Sequence, residues 1–159
     1  MKNIKAIVVD DEAFGREQIK SLLKKYFPQI VLVAEAANST EALKQIYFHK
    51  PDLVFLDVEM PGSNGFDLLE KIQEHDFEII FVTAFDQYAL KAIKFSALDY
   101  LLKPLRKDEF IHAVQEFLNR QKNAYDRKSV INNLIRNLKS VEEKLFRLAV
   151  NTSGKTYFL

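Results

Sequence analysis

The sequence predicts an α/β protein in which helices cover both faces of a doubly wound parallel sheet. Short apolar segments alternate five times with amphipathic segments of helical period. Such alternation is typical of parallel strands joined by helical crossovers, and the right-handed sense of those crossovers limits the topology. Acidic residues directly follow the first and third apolar segments, at the edge where sheets of this kind bind ligands.

The strands are predicted from short apolar runs, and the helices from apolar residues that recur every three or four positions. The predicted strands cover residues 4–9, 30–36, 53–57, 78–84 and 98–102. The predicted helices cover residues 13–26, 41–48, 66–75, 86–95 and 107–121. Pro28 is expected to end the first helix. Asn38, with Glu41 three residues later, matches a capping box before the second helix, and Asp86 is expected to cap the fourth.

The composition is that of a globular chain, since 48% of its 159 residues are hydrophobic and 28% are charged. Because the chain has no cysteine, disulfides, thiolate zinc sites and cysteine nucleophiles are excluded. Residues 1–122 carry 16 basic and 19 acidic side chains, against 7 and 3 in residues 123–159, and neither balance by itself indicates a nucleic-acid partner. No apolar run approaches ~18 residues, and the N-terminal run is too short for a signal peptide. We therefore expect a cytoplasmic protein that does not contact membranes.

Five polar side chains are expected to converge at the carboxyl edge of the sheet. Asp10 and Asp11 follow the first strand, Asp57 ends the third, Thr83 lies at the end of the fourth and Lys103 follows the fifth. A flavodoxin-like strand order, 2-1-3-4-5, makes the first and third strands neighbours. Carboxylates this close repel one another unless a cation intervenes, and Mg²⁺ prefers such oxygen ligands. With a lysine for a phosphate oxygen, the set suits the formation of an aspartyl phosphate.

Four motifs in this order resemble the receiver domain of two-component response regulators. They are "VVDDE" at 8–12, "LDVEMPGSNG" at 56–65, "VTA" at 82–84 and "DYLLKP" at 99–104. The resemblance covers about residues 3–122. It implies that Asp57 is the phosphoacceptor and takes its phosphoryl group from a phosphohistidine on a sensor histidine kinase. By this resemblance the chain is a phosphoaccepting signalling domain and not an enzyme.

The same resemblance implies a role for each neighbour of Asp57. Asp11 and Asp57 are expected to bind Mg²⁺ directly, Asp10 to bind it through water, and the backbone carbonyl of Glu59 to add another ligand. Mg²⁺ is the only cofactor implied.

Around the phosphoryl group, the resemblance assigns contacts to Thr83 and Lys103. The Lys103–Pro104 peptide bond is expected to be cis, which an X-Pro bond reaches at modest cost. Residues 83–104, "TAFDQYALKAIKFSALDYLLKP", resemble receivers of the LytTR-type (LytR/AlgR-like) transcriptional regulators. This implies a tyrosine switch, Tyr100, that turns inward when Thr83 shifts toward the phosphoryl group. The face formed by the fourth helix, fifth strand and fifth helix then changes its partner preference.

The C-terminal part of the chain has a different pattern. Five apolar residues are spaced as in a heptad seam, namely Ile131, Leu134, Leu138, Val141 and Leu145. The seam lasts about two heptads, and it suits equally a homodimer contact or packing on the chain's own domain. We expect a receiver over 1–122, a linker helix over 123–144 and, over 145–159, the first hairpin of a LytTR-type DNA-binding domain.

The last fifteen residues are too few to bury a core. We therefore expect a piece of a longer transcription regulator, which binds DNA through its complete output domain and not through this fragment.

Two other classes of function remain open at this point. Phosphatases that resemble the haloacid dehalogenases also form an aspartyl phosphate, but they use a D-x-D pair, whereas Asp57 is followed by Val58 and Glu59 and no cap domain is evident. A binding module with a receiver fold that ignores phosphate usually lacks part of the acid–threonine–lysine set, which this chain retains. Each residue alone also has an ordinary explanation, such as a helix cap for the Asp10–Asp11 pair or a core position for Tyr100.

Overall fold

The five predicted strands form one parallel sheet in the computed structural model, which describes residues 3–72 and 75–135, with side chains as far as residue 124. The strands are β1 (Ile4–Val9), β2 (Ile30–Ala36), β3 (Leu53–Leu56), β4 (Glu78–Thr83) and β5 (Asp99–Leu102). Their order is β2-β1-β3-β4-β5, and all neighbours are parallel. The predicted flavodoxin-like order is therefore confirmed.

The helices lie between and after the strands. They are α1 (Ala13–Tyr26), α2 (Ser39–His49), α3 (Gly65–Lys71), α4 (Ala89–Lys94) and α5 (Lys107–Ile135). A two-residue ladder pairs Glu59–Met60 with Ser63–Asn64 between β3 and α3. The Asn38 side chain caps α2 by accepting a hydrogen bond from the Glu41 N–H at 2.9 Å, as predicted. The Glu41 carboxylate reaches the Ala37 N–H instead of the cap residue's own N–H, so the capping box is incomplete.

Two helices end several residues away from the predicted position. α3 stops at Lys71 and not at residue 75, because Ile72 takes an extended backbone and its side chain is buried in the core. α5 continues past residue 121 to Ile135, since no proline or glycine interrupts the chain there.

The start of α4 also differs from the prediction. The helix begins at Ala89 and its N-cap is Tyr88, whose side chain makes no cap hydrogen bond. Residues 84–88 form a loop instead of the first helical turn. In that loop the Asp86 carbonyl accepts a hydrogen bond from the Ala89 N–H at 3.4 Å. The prediction that the Asp86 side chain caps this helix is therefore wrong.

The core lies on both faces of the sheet, because β1 and β3 are buried on both sides. On one face, Phe110 of α5 stacks on Phe55 of β3, with ring centroids 5.5 Å apart. On the other face, Phe66 of α3 packs on Phe81 of β4 at 5.0 Å, within a cluster to which α2, α3 and α4 all contribute. This packing leaves the carboxyl ends of the strands as the part of the sheet open to a site.

The chain divides into two compact units, Met1–Phe117 and Leu118–Leu159. The first unit contains the whole sheet, and in the second the described residues continue α5. Ile131 and Leu134 of the predicted seam lie on this helix. The other three seam residues lie outside the described residues, as does the predicted hairpin over 145–159. These three are Leu138, Val141 and Leu145. The domain limits and the linker helix over 123–144 stay predictions.

Within residues 3–72 and 75–135, no helix has both the length and the apolar character that crossing a membrane requires.

Candidate phosphoacceptor site

The two central acids are held by the sheet itself. Val9 pairs with Leu56 at the last register position of β1 and β3, so Asp10 and Asp57 leave the sheet side by side. The Asp10 N–H donates to the Ala36 carbonyl at 3.0 Å and the Asp57 N–H donates to the Val9 carbonyl at 2.9 Å. Both residues are buried, with 2% and 5% of their surface exposed. The strand order thus sets the backbone of both acids.

Two glycines allow the surrounding chain to approach these acids. A Cβ atom on Gly15 of α1 would lie 2.3 Å from Asp10 Oδ2, and one on Gly65 would lie 2.7 Å from the backbone oxygen of Asp57. Both distances are far below a van der Waals contact. Any side chain at either position would therefore displace an acidic residue of the site or its backbone.

Lys103 is the cation that the structure brings to the acids. Its Nζ donates to Asp10 Oδ2 at 2.8 Å, to Asp57 Oδ2 at 3.0 Å and to Glu12 Oε1 at 3.4 Å. Its backbone N–H donates to the Thr83 carbonyl at 2.8 Å. The predicted cis bond between Lys103 and Pro104 is present.

Four carboxylates form a cluster that suits a divalent cation. Asp10, Asp11, Glu12 and Asp57 each offer an oxygen, and these atoms lie within 4.8 Å of one another. Asp57 Oδ1 is buried and has no hydrogen-bond partner among the described residues. A buried polar atom left unpaired is uncommon, and an oxygen of this kind among acids fits a hard cation such as Mg²⁺. Asp11 and Glu12 are exposed, which leaves room for the water ligands that Mg²⁺ retains.

The free oxygen distinguishes Asp57 from Asp10. Asp10 Oδ1 accepts a hydrogen bond from the Glu12 N–H at 2.9 Å, and its Oδ2 accepts from Lys103. Among the described residues, Asp57 accepts a hydrogen bond through Oδ2, from Lys103, and through Oδ1 from none. Of the two buried acids, Asp57 is the one with an oxygen available for a ligand or for bond formation.

Thr83 and Tyr100 hold the same residue of the loop after β4. Thr83 is fully buried, and its Oγ1 accepts a hydrogen bond from the Phe85 N–H at 3.4 Å. Tyr100 is half-buried, and its hydroxyl donates to the Phe85 carbonyl in a short hydrogen bond. The two predicted switch residues therefore meet at the backbone of Phe85.

Glu59 lies at the rim of the site and not in the carboxylate cluster. Its Oε1 accepts a hydrogen bond from the Tyr88 hydroxyl at 2.8 Å. This bond raises the pKa of Tyr88 above its ordinary value, and partial burial and the charge of Glu59 add to the effect. The carbonyl role expected for Glu59 involves its backbone and is independent of this side-chain bond.

Residues 6–115 match the family described as the response regulator receiver domain. The chain belongs to this family. It contains the receiver domain of a two-component response regulator, a signalling domain and not a classical enzyme. The haloacid-dehalogenase-like alternative is thereby set aside.

Two curated relatives of this receiver match more than two thirds of the chain. A response regulatory protein of Vibrio cholerae is 42% identical over 120 residues, which cover 75% of this chain and 50% of that protein. The sensory transduction protein LytT of Enterococcus faecalis is 39% identical over 112 residues, 69% of this chain and 46% of LytT, which confirms the expected relation to LytTR-type receivers. The chain therefore spans about half the length of the curated relatives it matches.

Solved receivers show the same fold. The response regulatory domain of mrkE from Klebsiella pneumoniae superposes with a TM-score of 0.70 at 28% identity, covering 76% of this chain and 99% of that domain.

Burial and the charges of the receiver's site shift the pKa values of Asp57 and Lys103. Burial raises the pKa of Asp57 above its ordinary value, and the nearby charge of Asp10 adds to this, although the bond from Lys103 acts in the opposite direction. Burial acts to lower the pKa of Lys103, but its hydrogen bonds to Asp10 and Asp57 outweigh that effect and raise the pKa. Burial therefore disfavours the charged form of Asp57, whereas the two acids favour the charged form of Lys103.

Three residues of the site do not follow from the sequence pattern. Glu12 belongs to the first of the four motifs, which implies no role for it, yet it joins both the carboxylate cluster and the contacts of Lys103. Gly15 has no local signal, because a glycine inside an amphipathic helix is an ordinary variation. Tyr88 falls inside the predicted fourth helix, where nothing in the pattern relates it to Glu59.

Proposed function

We propose that Asp57 accepts a phosphoryl group from a phosphohistidine of a sensor histidine kinase, with Mg²⁺ as cofactor. The observation that carries this is the unpaired, buried Oδ1 of Asp57 inside a carboxylate cluster, next to a lysine that contacts only the other oxygen. The chain's membership of the receiver family supports the same reaction.

The transfer needs positioning and charge neutralisation more than a base. Asp57 Oδ1 attacks the phosphorus, the new O–P bond forms, and the P–N bond to the imidazole breaks with its electron pair going to the ring nitrogen. Lys103, which already donates to Asp57 Oδ2 at 3.0 Å, keeps that oxygen engaged and offers its charge to a phosphoryl oxygen. Because Asp57 is almost fully buried, the reaction takes place away from most of the solvent.

Mg²⁺ would be held by Asp11 and Asp57 directly, by Asp10 through water and by the backbone carbonyl of Glu59. When bound, the ion neutralises charge on the phosphoryl oxygens. Asp10 suits a water-mediated contact because both of its oxygens already accept hydrogen bonds. Asp11 suits a direct contact because it is exposed, and Asp57 would contact the ion through the carboxylate oxygen that does not bond to phosphorus.

The switch would start at Thr83 and reach the surface through Phe85. A Thr83 hydroxyl that turns to the phosphoryl group no longer accepts a hydrogen bond from the Phe85 N–H. The Phe85 carbonyl accepts a hydrogen bond from Tyr100. The adjoining surface of α4 exposes Leu90 and Ile93 at 79% and 70%. Exposed apolar side chains of this kind are typical of a partner-binding face.

In the complete regulator, the face formed by α4, β5 and α5 would pass the signal to an attached DNA-binding domain and so control transcription. Homodimer formation through this face or through the predicted heptad seam is part of the proposal. Contact with DNA would be made by the output domain and not by this chain.

The test is phosphoryl uptake measured by intact mass spectrometry. Wild-type protein is incubated with acetyl phosphate, with and without Mg²⁺, beside Asp57→Asn and the control Asp76→Asn, an exposed acid before β4. We expect the mass of one phosphoryl group on the wild type and on Asp76→Asn, only with Mg²⁺, and none on Asp57→Asn. Uptake by Asp57→Asn, or no uptake by the wild type from any donor, would contradict the proposal. In the second case, a phosphate-independent binding module would be the better explanation.

A further inference from the structure

One residue of α1 holds the backbone of the loop that carries the first acids. Arg16 Nη1 donates to the backbone carbonyl of Asp10 at 2.7 Å, and the Arg16 N–H donates to the Glu12 carbonyl at 3.2 Å. Asp11 lies between these two residues and is exposed. The Asp10 carbonyl and the Asp11 N–H belong to one planar peptide unit. The bond from Arg16 therefore fixes the peptide plane that leads into Asp11.

The Arg16 side chain is held in turn by the end of β2. Its Nε lies 3.5 Å from Glu35 Oε1, and the two side chains are 21% and 33% exposed. Glu35 precedes Ala36, whose carbonyl accepts the hydrogen bond from the Asp10 N–H at 3.0 Å. A guanidinium group presents its N–H donors in fixed directions. One side chain thus connects the Glu35 carboxylate to the carbonyl of Asp10.

The charge of Arg16 and its contacts act in opposite directions on a bound cation. A positive charge near the carboxylate cluster repels Mg²⁺, so by charge alone the loss of Arg16 would tighten binding. By its contacts, Arg16 orders the backbone at Asp11, so its loss would weaken binding. Glu35 lies beside Arg16 and offsets much of its charge, whereas a loop that must order when the ion binds loses conformational entropy. We expect the second effect to be the larger.

We propose that Arg16 is a positioning residue that orders Asp11 for Mg²⁺. This inference rests on the proposed function, in which Asp11 binds the ion directly. A ligand that is already in place loses little freedom on binding, and preorganisation of this kind raises affinity. The contacts of Arg16 described above are to Asp10, Glu12 and Glu35, none of which accepts the phosphoryl group. Arg16 should therefore affect the affinity for the ion and not the transfer itself.

The test is a titration of the protein with MgCl₂ in the absence of a phosphoryl donor, followed by the backbone amide shifts in NMR spectra. Arg16→Met keeps an unbranched apolar stem but has no donor. We expect the Kd for Mg²⁺ to rise about tenfold, the lower end of the usual effect of losing an outer-shell partner of a metal ligand. An unchanged or lower Kd would overturn the proposal.

Phosphoryl uptake supplies a second measurement. The Mg²⁺ concentration that gives half-maximal uptake from acetyl phosphate should rise by the same factor in Arg16→Met. The rate at saturating Mg²⁺ should stay at the wild-type value, because the acceptor is not touched. A lower saturated rate with an unchanged half-maximal concentration would contradict a role through the ion.

Two further variants separate positioning from charge. Lys20→Met removes another cation of α1 that pairs with Glu35, at 3.8 Å, and its Kd should stay within about twofold of the wild type. A rise as large as that of Arg16→Met would count against the proposal. Arg16→Lys keeps the charge but not the planar group that serves both partners, so it should weaken binding by a smaller factor. A Kd equal to that of the wild type would show that the charge alone is sufficient.

The outcomes also distinguish this inference from the proposed function. Urea unfolding in EDTA checks that each variant is folded, and if Arg16→Met does not fold, the comparison of Arg16→Lys with the wild type decides. A wild type that binds no Mg²⁺ and takes up no phosphoryl group would refute the proposed function. A wild type that does both, with the same Kd in the Arg16 variants, would refute only the role of Arg16.

Discussion

The ends of β1 and β3 and the loop after β4 lie at the same edge of the sheet, but they are held in different ways. Asp10 and Asp57 are buried and extend the backbone hydrogen bonding of the sheet. The loop over 84–88 is held by three side-chain contacts and is partly exposed. Backbone ladders in a buried core open only at a high free energy, whereas exposed side-chain contacts open readily. The first region suits fixed chemistry and the second suits a response to that chemistry.

The largest loss of stability is expected when a side chain crowds the backbone at Asp57. Gly65→Ala places a Cβ 2.7 Å from the Asp57 backbone oxygen, and a backbone atom in a close-packed core cannot move aside easily. We expect the free energy of unfolding in urea to fall by about 3 kcal/mol. The uptake of phosphoryl groups should fall as well, because Asp57 is displaced.

Gly62→Asn is the matched control for this variant. Gly62 has a positive φ of 82°, and a Cβ atom added there would meet no other atom within 4 Å. Asparagine tolerates this backbone conformation better than most other residues. The unfolding free energy of Gly62→Asn should change by less than about 1 kcal/mol. Equal losses for the two variants would show that crowding at Asp57 is not the cause.

A smaller effect of opposite sign is expected when the buried charge is removed. Burial raises the pKa of Asp57, so the ionised acid costs stability at neutral pH. In EDTA at pH 7, Asp57→Asn should therefore increase the free energy of unfolding in urea, by less than Gly65→Ala decreases it.

The pH dependence checks the sign of this effect. An acid whose pKa is raised by folding stabilises the folded state at pH values below its pKa in the unfolded chain, 3.8. This contribution to the free energy of unfolding is lost as the pH rises through the pKa of the folded state. The advantage of Asp57→Asn should therefore shrink as the pH falls toward 4, as followed by urea unfolding at each pH. An advantage that is constant with pH would have another origin.

The smallest effect is expected in the loop. Tyr100→Phe removes the hydrogen bond to the Phe85 carbonyl but keeps the ring on Phe81, whose centroid is 5.9 Å away. We expect the unfolding free energy to fall by only about 0.5–1 kcal/mol, with phosphoryl uptake retained. A loss as large as that of Gly65→Ala, with Tyr47→Phe at an exposed position of α2 unchanged, would mean that the loop is as rigid as the acceptor region.

Periodicity and motif order were sufficient for most of the fold. The strand order follows from five alternations of strand and helix, because the chirality of crossovers leaves few topologies. The convergence of Asp10, Asp11, Asp57 and Lys103 follows from that order, since residues after parallel strands meet at one edge. The local errors lie at the end of α3 and the start of α4, where tertiary packing of Ile72 and of the loop over 84–88 overrides the helical pattern.

The sequence by itself determined which residues meet around Asp57, because alternating elements and the residues that follow each strand are local properties of the chain. Only the tertiary structure decided which contacts each of these residues makes. It leaves one oxygen of Asp57 free while both oxygens of Asp10 are bonded, it packs the Asp10 carboxylate against Gly15, and it brings Tyr88 to Glu59. Such contacts depend on distances between side chains far apart in the chain, and no periodicity or local propensity records those distances.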